Sequence, residues 1–398
     1  MKRALRLSLL AALSFVAAAG ALWIGRGAQP DHARASDPAA VPAAKVARLV
    51  LAHGEVDGFA TEIAVATIDP AANSAAVKPL ASVAHTRGSA IRGAAFGDAA
   101  FVVAQLDGPR GTSYDGVLFR VEGGKVTRLV SEVARASTPF VTRQGRVLVA
   151  RGADGPEPTP AEAQKLKLRD DELTIDDVDP ITGATRTLWR GKGYQAFLGA
   201  RIESAGVGEE IVVYHSTAKG AALFALDPAS GAARALLPGV APFARDFSFD
   251  RVHGALLFAD LGPDGRTFQV LSLDLASLAL RAVYASPNEH LMPFALPSGD
   301  VALSSDGDKG LAVIVQAGGG QFRLVSPLGD GSDAATHASP DGRWIALRHT
   351  PKALAVDEPP KVVAFDLAAG KIVPLGLPPD HFVEPLGFLS AGAAGGAP

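Results

Sequence analysis

The sequence predicts an all-β protein built as a β-propeller, and three observations carry that reading. A hairpin phrase recurs through the body of the chain, its best copies about 47 residues apart at Asp179, Asp227 and Asp274, which is the length of a four-stranded propeller blade. A second kind of hairpin sits between the copies, so that the two kinds alternate. The two ends of the strand-bearing region supply the parts of one further blade.

The chain opens with Lys2, Arg3 and Arg6, followed by an apolar run from Leu7 to Ile24. Ala33 and Ala35 satisfy the small-x-small rule before a cut at Ser36, so the start reads as an export signal. The run is long enough to span a bilayer, and Trp23 with Arg26 suits the far interface, so a cleaved signal peptide and an uncleaved anchor both stay open. Either way the body is delivered outside the cytoplasm, because positive charge stays inside. Residues 1–35 are this segment, 36–44 a linker, 45–390 the propeller and 391–398 a flexible tail.

The recurring phrase is an alternating apolar strand, Asp-Pro or an equivalent, a Gly turn, and a short strand carrying Arg or Lys with Leu. It reads EIAVATIDPAANSAAVKPL, VLFRVEGGKVTRLV, LTIDDVDPITGATRTLW, ALFALDPASGAARALL, QVLSLDLASLALRAVY and VVAFDLAAGKIVPL, with LAVIVQAGGGQFRLVS as a degenerate copy. The second hairpin is clearest in ASPDGRWIALR. Pro340-Asp341-Gly342 turns the chain, and the strand that follows sets Trp344, Ala346 and Arg348 on one face and Ile345 and Leu347 on the other. FGDAAFVVAQL, VTRQGRVLVA, FDRVHGALLFAD and ALPSGDVALSS are weaker versions.

Together the hairpins place six blades at 87–131, 136–190, 194–237, 243–285, 289–326 and 333–375. A seventh is assembled from the ends: EPLGFLSAG at Glu384–Gly392 as the inner strand, and Lys45–Leu51, Thr61–Asp69 and Ala75–Ala81 as the other three. Closure of this kind removes exposed strand edges. An open pair of β-sandwich sheets is the competing architecture, and six or eight blades compete with seven.

The segment ATHASPDGRWIALRHT resembles the WD-repeat-like motif of TolB-type β-propellers, a Ser-Pro-Asp-Gly turn followed by a basic residue and an alternating apolar strand. The match is good over Thr336–His349 and loose in other blades. The resemblance implies a propeller of this superfamily in a cell-envelope setting. Strand pattern begins at about Lys45, so the α/β domain that precedes the TolB propeller has no counterpart. The matching positions are turn and packing residues, so the resemblance transfers no functional site.

Composition narrows the function. Without residues 1–35 the body holds 33 basic and 40 acidic residues, no footprint for nucleic acid. Cysteine is absent, which excludes disulfides, thiolate metal sites, Cys nucleophiles and N-terminal lipidation on Cys. No G-x-S-x-G nucleophile elbow occurs, no hydrolase domain follows Leu389, and three Trp are too few for the docking motifs of quinone-cofactor propellers. Asp306 and Asp308, at i and i+2, are the candidates for a divalent ion, against the plainer reading of an ordinary turn. No other cofactor is expected. The acidic stretch Asp170–Asp179 reads as a solvated flank.

His85, His290, His337 and His381 fall near the innermost strands, with Arg87, Arg135, Arg245 and Glu289 close by. Arg87, Arg135, Arg245, Glu289 and His290 are predicted to converge on the rim of the central funnel. Long B–C connections leave from that same rim: LDGPRGTSYDG, GADGPEPTPAEAQKLKLRDD and TPKALAVDEPP. In the second, Thr159 as N-cap and Pro160 at the first helical position begin a short helix running to Leu168. Long loops on a rigid scaffold are where function concentrates. The expectation is an exported, non-catalytic binding scaffold whose partner is an envelope protein or glycan. The alternative is an envelope hydrolase or lactonase with a metal in the funnel.

Overall fold

The computed structural model describes residues 46–389 apart from 87–90, 107–112, 136, 162–168, 205–207, 241–242, 288–290, 308–309, 318–320, 327–330 and 352–358. The export segment, the linker and the C-terminal tail lie outside the described residues. So do Arg87, Glu289, His290 and Asp308.

Among the described residues there are 28 strands. Five hydrogen-bonded sheets have four strands each, and a sixth has eight. The two halves of the large sheet, 92–133 and 140–193, meet through the single pair Val133–Arg151, so it divides into two units of four. The fold is an all-β propeller whose blades are 92–133 (blade 1), 140–193 (blade 2), 195–240 (blade 3), 245–286 (blade 4), 294–326 (blade 5) and 331–374 (blade 6). A closing blade joins His381–Leu389 to Ala47–Glu55, Ala60–Asp69 and Ser74–Ala84, in that order across the sheet. His381–Leu389 and Ala47–Glu55 run antiparallel, from Arg48 opposite Leu389 to Glu55 opposite His381.

The recurring sequence phrase is a turn device. Asp69, Asp179, Asp274 and Asp366 each accept two backbone N–H groups from the residues two and three positions on, and Asp227 accepts that of Ala229. The residue four positions after each Asp takes positive φ: Asn73, Gly183, Gly231, Leu278 and Gly370. At four of the five turns its N–H donates back to the carbonyl of that Asp. The turn needs a left-handed residue there, which explains the glycine.

The Ser-Pro-Asp-Gly turn works differently. The Ser339 hydroxyl accepts the Trp344 N–H at 2.9 Å, Gly342 sits at φ 70°, and the Arg343 guanidinium reaches Asp366 in the other hairpin of the blade at 2.7 Å. Arg146 does the same in blade 2, bridging to Asp177 and Asp179.

Alternation along the strands covers both faces of each sheet. Trp344 and Ala346 pack against Leu49, Leu51 and Ala64 of the closing blade, while Ile345 and Leu347 pack against Leu296 and Ala302 of blade 5. The same holds around the ring: Val50 and Ile63 against Val102, Phe101 against Val149, Leu148 against Val213, Tyr214 against Phe258, Leu257 against Leu303. Each interface between neighbouring blades thus has its own apolar core.

Two outcomes follow. Leu278 holds the left-handed position at φ 56° and is exposed. Leu278→Gly relieves a conformation costing about 1 kcal/mol and should raise stability by up to that amount in thermal unfolding. Deleting 381–398 strips the inner strand from the closing blade and uncovers Val50 and Leu49. That truncation should aggregate rather than melt cooperatively, as light scattering during heating would show.

Candidate functional site

The antiparallel meander of each blade puts its two hairpin turns on one rim and its B–C connection, with the crossing to the next blade, on the other. The short-turn rim is closed by its own bonds. A cleft of about 530 Å³ opens there between blades 2 and 3, lined by Thr142, Arg146, Asp177, Arg186, Glu209 and Asp227. Its cations are engaged: Arg146 by Asp177 and Asp179, Arg186 by Asp177 and by the carbonyls of Pro228 and Ala229.

On the opposite rim the connections at 106–115, 154–170 and 352–360 emerge. Between blades 1 and 2, Asp171 is buried and receives the Tyr114 hydroxyl at 2.9 Å, the Gly155 N–H at 2.8 Å and the Arg169 guanidinium at 2.5 Å. Burial disfavours its charge, but those donors outweigh burial and hold the carboxyl below the usual range. Burial, then the bond to Asp171, pushes the Tyr114 phenol up. Arg169 also ties Asp154 and Glu157, so the base of the longest loop is anchored from both ends. Pro160 and Ala161 are helical, where the sequence places the first helical position; 162–168 lie outside the described residues.

At the junction of blade 6, the closing blade and blade 1, Glu384 is flanked by Arg92 at 2.9 Å and Arg348 at 3.7 Å. Beside this, the buried Asp333 carboxylate holds His349 Nδ1 at 2.6 Å. The Ser304 hydroxyl donates to the Asp333 backbone carbonyl. His85 is buried and structural, bonded to the Thr61 hydroxyl and the Thr86 carbonyl. His337 lies on the inner strand of blade 6; its Nδ1 is buried and unpaired, and burial pushes its pKa down to about 4.

Two of the five predicted funnel residues are described, and neither is a loose rim charge. Arg135 makes a bidentate bridge to Asp115, at 2.9 and 2.7 Å, and the Asp115 side chain is 3% exposed. Arg245 lies over the Phe268 ring at 5.7 Å and 3.6 Å from Asp246. These contacts tie Arg135 to blade 1 and Arg245 to blade 4. Asp306 falls in the strand Val301–Gly307 rather than in a loop. Among the described residues no group of three or more His, Asp or Glu side chains is arranged to hold a metal ion.

Sequence reasoning missed Arg92, Arg348 and Glu384. Glu384 and Arg348 stand in stretches already read as strands, but Arg92 and Glu384 are 292 positions apart, and no local pattern announces that pairing.

The bidentate bridge changes what Arg135→Ala should do. It leaves the buried Asp115 carboxylate with the Gln105 amide, at a cost of about 2 kcal/mol or more. Its melting temperature should fall clearly, whereas Arg245→Ala should melt close to wild type; differential scanning calorimetry of the two variants separates them.

No protein-family model matches the chain, and no curated protein matches it. Solved structures do. TolB from Acinetobacter baumannii is 17% identical, with a TM-score of 0.42, over 71% of this chain and 68% of that one. A 6-phosphogluconolactonase candidate from Bacteroides fragilis is 13% identical, TM-score 0.50, over 89% and 99%. A puromycin-hydrolyzing peptidase from Mycobacterium tuberculosis is 15% identical, TM-score 0.51, over 73% of this chain and 46% of that one. These likenesses are of fold alone: at TM-scores of 0.50 and 0.51 the Bacteroides and Mycobacterium structures share the β-propeller architecture with this chain.

Proposed function

We propose that this propeller is an exported binding scaffold of the cell envelope that holds a protein or glycan partner on its long-loop rim. The basic start followed by an apolar run supports the location. Among the described residues no helix is long and apolar enough to cross a membrane, and residues 1–45 lie outside them. The observation that carries the binding reading is the contrast between rims. The short-turn rim is occupied by Asp-capped turns and bridging arginines, while the three longest B–C connections leave from the other rim, above bases anchored by Arg169 and Arg135. A rigid base under a long loop presents that loop at little entropic cost on binding.

Replacing 156–168 with a short Gly-Ser link spares Arg169 and should leave the melting temperature nearly unchanged while abolishing capture of the partner from envelope extract. Arg245→Ala should weaken capture by about thirtyfold if it sits at the interface centre, the effect of losing about 2 kcal/mol. Capture unaffected by either change would remove the long-loop rim from the interface.

One observation favours the enzymatic alternative, an envelope hydrolase or lactonase with a metal in the funnel. Asp333 orients the His349 imidazole as a buried carboxylate orients a general base. Stoichiometric uptake of a divalent ion by the purified protein, lost in Asp333→Asn, would support that reading over the scaffold.

A further inference from the structure

The strands Ala47–Glu55 and His381–Leu389 come from opposite ends of the chain and form the seam that closes the ring. Where the seam reaches the long-loop rim, His53 and His381 face each other with Nδ1 3.0 Å from Nδ1. The ring centroids are 5.3 Å apart and the planes differ by 28°. That centroid distance is the nitrogen–nitrogen contact plus one ring radius at each end. The rings therefore lie end to end, with the two nitrogens pointing head on. A shared metal ion would instead need the two lone pairs to converge on a third point.

A head-on contact of this kind holds one proton: one ring donates and the other accepts. Glu62 selects which. It lies opposite His53 in register, with Oε1 2.9 Å from His53 Nε2, an ion-pair distance without an aligned hydrogen bond, so its carboxylate favours a proton on Nε2 through charge. The proton of neutral His53 is therefore on Nε2, and its Nδ1 accepts from the Nδ1–H of His381.

We propose that the Glu62–His53–His381 chain is an acid-sensitive latch on the seam of the propeller. At neutral pH the imidazole–imidazole bond is made beside the Glu62 carboxylate. A proton on His381 Nε2 leaves its Nδ1–H donating to His53. A proton on His53 Nδ1 as well meets another N–H, and two imidazolium rings then face each other at contact distance. The latch opens on that second proton.

The surroundings sharpen the response. The His53 side chain is 8% exposed. Burial, joined by repulsion from His381 and opposed by Glu62, holds its pKa below the ordinary 6.5. The other charged groups at this corner are Glu55, opposite His381 in register, Asp57 in the turn after it, and Asp380 next to His381. His85, on the adjoining crossing, is bound to Thr61. A cleft of about 450 Å³, lined by both histidines with Phe59, Glu62 and Ser82, brings water to the pair. A histidine whose folded-state pKa is depressed contributes stability that is complete above about pH 6.5 and is lost as pH falls from there through the folded value.

Hydrogen exchange on the full chain between about pH 7.5 and about pH 5, corrected for intrinsic amide rates, tests the latch. Protection of 47–55 and 381–389 should fall about tenfold per pH unit in the lower part of that range, while 211–226 in blade 3 keeps its protection. His381→Gln removes the second imidazolium, and its carboxamide can turn its oxygen to accept from a protonated His53 Nδ1, so the seam of that variant should lose the pH dependence. Equal loss of protection in blade 3, or unchanged pH dependence in His381→Gln, would overturn the proposal. If that variant does not fold, nitrogen NMR of the wild-type imidazoles decides. His381 should carry its proton on Nδ1 and His53 on Nε2 at neutral pH; an Nε2–H tautomer at His381 would refute the latch.

Discussion

Each four-stranded sheet of this protein is apolar on both faces, and an isolated sheet of that kind has nowhere to put either face. The rest of the structure depends on that constraint. Trp344 and Ala346 need the closing blade as Ile345 and Leu347 need blade 5, and every blade repeats the demand on its two neighbours. A linear stack would leave two uncovered apolar faces. Joining the first strands of the chain to its last strand completes the closing blade, which covers both faces. It also makes the seam a place where stability rests on residues from opposite ends of the chain.

The two rims follow from the same topology and have different physical characters. Hairpin turns on one rim carry Asp carboxylates that saturate the local N–H groups, and arginines after the inner turns, Arg146 and Arg343, stitch one hairpin to the next. That rim is rigid and largely self-satisfied. The other rim must carry every connection that crosses the sheet top, and there the chain affords length. Its charged groups form small networks at the bases of the loops, around Asp171, Asp115 and Glu384, which fix where the loops depart. The Glu62–His53–His381 chain belongs to this rim as well, so an acid response at the seam and a partner on the loops would share one surface.

Much of this architecture was legible in the residues because its cause is local. The Asp-to-Gly turn needs a capping carboxylate and a left-handed residue within five positions, and both are written side by side in DPASG and DPITG. The alternation in WIALR states which side chains face which neighbour, because pleating gives a strand a period of two. Blade boundaries from such signals agree with the strands within a few residues. Even the helical start at Pro160 follows from an N-cap and a proline standing next to each other.

The pairing of charges was not legible, and the reason is distance along the chain. Arg135 looked like a spare rim cation, yet Asp115 waits for it in a connection 20 positions earlier, almost wholly buried. Arg92 and Glu384 lie 292 positions apart, and His53 and His381 lie 328 apart. Composition, turn chemistry and period therefore determined the strands, the blades and the need for closure. Closure itself decided which side chains meet, because residues from distant blades come within bonding reach only after the ring is shut, and their orientation depends on packing that no short stretch of sequence contains.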